Sequence, residues 1–149
     1  EDLLIARIPY FNALFNSSMV ECKSGEVNLS AFEFSTIRSL LFYDYTGRLT
    51  ISRTNVSDLM MGASFFQINS ITDQCDRFIR KIIKIGSVLQ FYSVCVTFAS
   101  DATRDFILNF VDVFFVPISH TSDFLRVSID DLVSILQRDS LKVDDEKQV

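Results

Sequence analysis

The 149-residue sequence has no tryptophan, one histidine, two prolines and four glycines. So few chain breakers disfavour a loop-rich or barrel architecture and favour helices. No glycine-rich phosphate loop exists. Gly62-Ala63-Ser64-Phe65-Phe66 lacks the closing glycine of a nucleophile elbow. The single histidine lies in the polar connection Ile118-Ser119-His120-Thr121, with no serine or cysteine signature beside it. His120 therefore reads as a solvated loop residue rather than a catalytic base. The three cysteines, Cys22, Cys75 and Cys95, are odd in number and unevenly spaced, against both a disulfide framework and a zinc site. Cys75 and Cys95 fall in apolar helical patterns and read as small core residues. Positive charge is also scarce. Fourteen Lys and Arg against nineteen Asp and Glu give a formal net charge of −5, a poor balance for gripping a phosphate backbone. The one basic cluster, Arg77, Arg80, Lys81 and Lys84, reads as a solvated helix face. Asp130-Asp131 and Asp144-Asp145-Glu146 are acidic runs at expected helix starts, where they complement the helix dipole without a metal. Long apolar runs are missing too. Phe106 to Ile118 is interrupted by Asn109 and Asp112, and Val88 to Ala99 is far shorter than the roughly 20 residues of a membrane span.

Hydrophobic mass, in contrast, is plentiful: 48% of residues are apolar and fifteen are phenylalanine, ample for a core. The length suits one domain or two small ones. Asn16-Ser17-Ser18, Asn28-Leu29-Ser30 and Asn55-Val56-Ser57 fit the glycosylation sequon, a pattern short enough to arise often by chance. The chain opens with no signal peptide, and the expected compartment is the reducing cytoplasm, with the nucleus as the alternative.

Periodicity supplies the elements. Residues 2–6 read as a helix start running into Pro9, and residues 9–15 as a short helix. Residues 16–25 form a polar loop. Val27 and Leu29 alternate with polar neighbours, as in a half-buried strand. Phe34, Ile37, Leu40, Leu41 and Tyr45 predict a helix over 34–45, with Gly47 placed for a left-handed cap. Leu49 and Ile51 predict a short strand. Asn55 or Thr54 caps the next helix, which carries Val56, Leu59, Ala63 and Phe66 on one face. Ile71, Cys75, Phe78, Ile79 and Ile82 form a further amphipathic stripe. Gly86 marks a hinge between units. Beyond it the pattern is helical over 88–99 and 103–115, with Pro117 at or after the end of the second. Thr121 or Ser122 caps a turn holding Phe124 and Leu125. Ser128-Ile129-Asp130-Asp131 is a capping box with Asp as its acid, opening a helix with Leu132, Val133, Ile135 and Leu136. From residue 144 the charged tail either frays or starts another helix.

An ordered string of local signatures runs through the first eighty residues. Ile8-Pro9-Tyr10-Phe11, Leu14-Phe15, Met19-Val20-Glu21 and Glu26-Val27-Asn28-Leu29 come first. Tyr45-Thr46-Gly47-Arg48-Leu49, Asn55-Val56-Ser57-Asp58-Leu59, Phe65-Phe66-Gln67-Ile68 and Cys75-Asp76-Arg77-Phe78 follow. In this order the string resembles the BTB (POZ) domain of Kelch-like proteins. Phe110, Phe115, Asp123-Phe124-Leu125, Ser128, Asp131-Leu132, Leu136, Asp139, Leu141, Val143 and Glu146 resemble the BACK domain, whose first helices form the 3-box. Two positions depart from the pattern. Asp44 stands where the family places an apolar residue, and either reaches solvent or pairs with a base such as Arg48. Val94-Cys95 stands where the family shows Phe-Ala.

The resemblance implies an α+β, mostly α fold: a BTB/POZ helical array around a small sheet over 1–84, then an all-α 3-box and partial BACK segment over 85–149. It implies docking rather than chemistry, with no enzyme activity, catalytic residue, cofactor or metal. The implied role is that of a substrate-recognition adaptor for a cullin-3 RING ubiquitin ligase. The cullin's N-terminal region and a substrate would be its partners, the substrate held by Kelch repeats in the full protein; nucleic acid and membrane are not implied. Met19, Glu21 and Tyr45 match the family's cullin contacts. An exposed Met is a flexible apolar plug, and a Glu two residues on fixes register. By pattern alone, Met19 folding back onto its own core is favoured; the resemblance reverses that preference. Tyr45 is expected to pack at its helix end with the hydroxyl at the rim. A dimerising scaffold in cytoskeletal or transcriptional regulation is the alternative role, and an unfunctional gene fragment a third.

Family members dimerise through a first strand and helix that this sequence does not contain, so the chain reads as a fragment. Poor dimerisation and exposed apolar surface are expected. Light scattering should report a monomer or polydisperse aggregates; a stable, monodisperse dimer would contradict this.

Overall fold

The computed structural model describes Tyr10 and residues 29–142. It divides into two compact units, Glu1–Phe78 and Ile79–Val149. Among the described residues the regular structure is entirely helical: α1 (Phe34–Thr46), α2 (Val56–Phe65), α3 (Asn69–Ile82), α4 (Val88–Phe98), α5 (Asp101–Val113), α6 (Phe115–Ser119) and α7 (Ile129–Leu136), with a 3₁₀ turn at Phe124–Arg126. The expected helices at residues 2–6 and 9–15 and nearly all of the 27–29 strand lie outside the described residues, although Tyr10 is helical.

The small sheet is not seen among the described residues. Leu49 and Ile51, expected in a strand, lie in irregular chain. Asn55 supplies the reason. Its Oδ1 accepts the Ser52 backbone N–H at 2.8 Å and its Nδ2 donates to the Thr50 carbonyl at 3.0 Å, folding 50–55 into a loop. The same bonds use up the side chain expected to cap α2. Asn55 does occupy the N-cap position, yet makes no side-chain cap bond.

In the first unit α1 packs on α2. The buried face of α1 runs through Thr36 and Leu40, and α2 buries Val56, Leu59, Met60, Gly62 and Ala63. Gly62 sets how close the helices come. A Cβ there would stand 2.9 Å from Leu40 Cδ1 and 3.3 Å from Thr36 Cγ2. Leu40 is itself buried, so it has little room to give. α1 ends as its sequence predicts, with Gly47 at φ 69° and its N–H donating to the Tyr43 carbonyl at 2.7 Å. α2 ends in the same hand without glycine. Gln67 takes φ 60°. The Ile68 N–H reaches the Ala63 carbonyl at 2.8 Å and the Gln67 N–H reaches Ser64 at 3.2 Å, the paired bonds of a Schellman turn. Beside this corner lies an aromatic cluster. Phe65 and Phe66 meet at 5.1 Å, Phe32 lies 5.0 and 5.6 Å from them, and Tyr10 lies 4.9 and 5.3 Å away. In α3, Ile71, Cys75 and Ile79 are fully buried, as their spacing predicts.

In the second unit α4 packs against α5. α4 buries Val88, Leu89, Phe91, Tyr92 and Cys95. Arg104 closes its C-terminal end. Nε donates to the Val96 carbonyl at 2.8 Å and a terminal nitrogen to Ala99 at 3.4 Å, while the other terminal nitrogen meets Asp101 at 2.6 Å. Carbonyls that the helix leaves open are thereby filled by a cation. Ser100 accepts the Thr103 N–H at the start of α5. Arg80 donates to the Thr103 hydroxyl at 2.8 Å and lies over the Phe106 ring at 5.7 Å. α5 ends at Val113, short of the expected residue 115. Pro117 has no N–H to give the Val113 carbonyl and its ring would strike it, so the chain breaks and restarts as α6. Thr121, rather than Ser122, supports the following turn, accepting the Phe124 N–H at 3.3 Å. Ser128 caps α7 as expected, its hydroxyl accepting the Asp131 N–H at 3.1 Å, but the Asp131 carboxylate accepts the Ser128 hydroxyl at 2.8 Å rather than the backbone N–H of a full capping box.

A polar clasp joins the chain after α7 to α5. Arg138 donates Nε and a terminal nitrogen to the two Asp112 oxygens at 2.7 and 2.6 Å. Ser140 donates its hydroxyl to the same carboxylate at 2.6 Å, and the Lys142 N–H donates to the Asp112 carbonyl at 2.9 Å. The Asp112 side chain is only 6% exposed and that of Arg138 26%. The Arg138 hydrogen bonds, opposed by burial and assisted by Ser140, hold the Asp112 carboxyl below the usual carboxylate range.

Two outcomes are expected. Gly62→Val should lower unfolding free energy by about 1–3 kcal/mol in denaturant titrations, with Leu40→Ala in the same chain recovering part of the loss. Arg138→Met leaves a buried carboxylate without its partner and should cost about 2–3 kcal/mol at neutral pH, less than a fully enclosed pair because Arg138 keeps contact with water. A carboxyl whose folded pKa is depressed stabilises the fold above its unfolded pKa of about 3.9, and that stability is lost as pH falls. The gap between wild type and Arg138→Met should therefore narrow below about pH 4, and a gap constant down to pH 3 would contradict the assignment.

Candidate partner-docking surface

Of the three residues expected at a partner contact, Met19 and Glu21 lie outside the described residues. Tyr45 is described, and its setting differs from expectation. It is 58% exposed, not packed. The reason is helical phase: α1 buries the line through Thr36 and Leu40, and Tyr45 falls on the opposite line with Phe34, Arg38 and Phe42. Phe34, one of the residues whose spacing predicts this helix, is also exposed, at 79%. Tyr43 points inward instead, its hydroxyl accepting a bond from Gln74 at 3.3 Å.

Phe34, Arg38 and Phe42 line an open groove of about 470 Å³ together with Arg48, Leu49 and Thr50. Apolar rings flanked by two guanidinium groups suit an apolar segment with acidic neighbours.

The second unit displays two apolar features. Phe106 and Phe110 of α5 and Phe114 just past its end form a row of tilted rings with centroids 6.2 and 4.8 Å apart, and Phe106 and Phe114 remain partly exposed. Leu125 on the 3₁₀ turn and Ile129, Val133 and Leu136 on α7 make up the other. Leu125 is 87% and Ile129 80% exposed. The helix carrying Leu132, Val133, Ile135 and Leu136 was legible in the sequence. Its exposure was not, because only Ile135 of α7 is buried.

The residues considered for chemistry have structural settings. His120 holds Nδ1 2.7 Å from the Val116 carbonyl at the end of α6. Burial, aided by the neighbouring Asp76 charge, pushes the Cys75 thiol up to about 12, so it carries no thiolate at neutral pH. Cys95 is buried as well. Among the described residues no cluster of His, Cys, Asp and Glu is placed to hold a metal ion. No described helix is long and apolar enough to cross a membrane.

Comparison with known families gives the chain's identity as a class: residues 3–83 match the BTB/POZ domain and residues 88–149 match BACK, "BTB And C-terminal Kelch". The chain belongs to the BTB–BACK family of Kelch-like proteins, a family of protein-interaction adaptors. It is 30% identical over 148 residues to Kelch repeat and BTB domain-containing protein 8 of Danio rerio, covering 99% of this chain and 25% of that protein. Kelch repeat and BTB domain-containing protein 3 of Homo sapiens is 30% identical over 147 residues, covering 99% and 24%. Kelch-like protein 40 of Xenopus tropicalis is 32% identical over 152 residues, covering 99% and 24%. The chain thus spans about a quarter of the length of these relatives.

Proposed function

We propose that this chain is the adaptor segment of a substrate receptor for a cullin-3 RING ubiquitin ligase, acting in the cytoplasm. The observation that carries the reading is the pairing of a BTB match over residues 3–83 with a BACK match over 88–149. In such an adaptor the BTB unit and the first BACK helices grip the cullin's N-terminal region. Kelch repeats, which the names of the relatives print, would hold the substrate. Met19 is the apolar anchor and Glu21 the polar latch that fixes register. Tyr45 lies at the rim, where an exposed aromatic with a hydroxyl adds contact area and one directional bond. A standard interface buries on the order of 1,600 Å².

The test is a pull-down and titration with the N-terminal region of cullin-3. Wild type should bind. Met19→Ala combined with Glu21→Ala should weaken binding at least about tenfold, as loss of a hot-spot pair does, with an unchanged thermal melt. Unchanged affinity in the folded double variant removes the anchor and latch. Absence of wild-type binding favours the scaffold role instead.

A further inference from the structure

The Asp112 clasp includes a group that a structural tie does not need to expose. Ser140 lies at the surface, yet its hydroxyl donates to the buried carboxylate at 2.6 Å and accepts from Arg138 at 3.3 Å. One oxygen thus sits at the junction of a cation, an anion and solvent. Arg138 two residues before it and Lys142 two residues after it give the segment basic flanks, with Asp139 between. An acidic substrate cleft would recognise that pattern.

We propose that Ser140 is a phosphorylation site for a serine/threonine kinase that reads basic flanking residues, and that the phosphate opens the clasp between Asp112 and Arg138. The kinase transfers the γ-phosphoryl group of ATP to Ser140 Oγ. An Oγ–P bond forms, the bond from the γ-phosphorus to the β–γ bridging oxygen breaks, ADP leaves, and the hydroxyl proton passes to solvent. The esterified oxygen has no hydrogen left to give Asp112. Three new oxygens bring a charge of about −1.5 to −2 at neutral pH. That charge arrives beside a carboxylate held ionised in a nearly dry site. Two anions then compete for one guanidinium. The phosphate is the stronger acceptor and the more accessible one, so Arg138 turns to it. Asp112 then loses both side-chain donors, Arg138 and Ser140. Like-charge repulsion and an unpaired buried anion drive residues 138–142 away from α5. The backbone bond from Lys142 to the Asp112 carbonyl, 2.9 Å in the closed form, is the reporter.

The experiment treats the 149-residue chain with Mg-ATP and the catalytic fragment of protein kinase C, then maps the phosphate by mass spectrometry against Ser140→Ala. Hydrogen exchange of residues 138–142 is compared between the phosphorylated and mock-treated wild type. A phosphate on Ser140, missing from Ser140→Ala, is expected, with exchange at the Lys142 amide rising about tenfold. Unphosphorylated Ser140→Ala keeps the Arg138 pair and should show a much smaller rise. Failure to phosphorylate Ser140 overturns the proposal. So does a phosphorylated chain whose Lys142 amide exchanges as slowly as before, since that result means the phosphate is held within a closed clasp.

Discussion

Short helices hide apolar surface only against one another, and how near their axes approach decides how much is hidden. In the first unit that distance is fixed by one missing side chain. With only a hydrogen at Gly62, Leu40 and Thr36 of α1 settle directly onto the backbone of α2. The phase of α1 follows from this contact. Once Thr36 and Leu40 face α2, Phe34, Phe42 and Tyr45 face water. The exposed aromatic wall is the other side of the same packing decision.

The second unit uses polar groups where the first uses close approach. Its connections are brief, so helix ends fall near one another and their open carbonyls need donors. Arg104 supplies them for α4, and Arg80 meets Thr103 near the start of α5. Asp112, itself buried, gathers a guanidinium, a hydroxyl and an amide into one knot. Each tie joins residues distant in sequence or flanking a break, which is where helical periodicity gives no information.

The sequence was most legible where local rules govern. The helix starting at residue 34, the cap at Gly47, the Ile71–Cys75–Ile79 stripe and the N-cap at Ser128 all appear as their patterns require. The rest was hidden by tertiary choice. An aromatic at helical spacing looks the same whether it faces a neighbour or water, so the spacing of Phe34 and Tyr45 predicts the helix but not that both face solvent. Asn55 was read as a cap because its position is right, but its side chain has a better pair of partners at Thr50 and Ser52. The left-handed residue at 67 carries no glycine to announce it. Of the candidate contact residues, only the setting of Tyr45 can be compared with its pattern, and there the helix phase differed from the one inferred.

Gln67 has one more consequence. A glycine at a helix corner swings freely, whereas a side-chain-bearing residue in the left-handed region is confined to a small well. Two backbone bonds, from Ile68 to Ala63 and from Gln67 to Ser64, brace the same corner. α2 and the start of α3 therefore behave as a bent rod rather than as two rods on a pivot. A push on the exposed end of one arm is delivered to the other as rotation instead of being absorbed at the elbow.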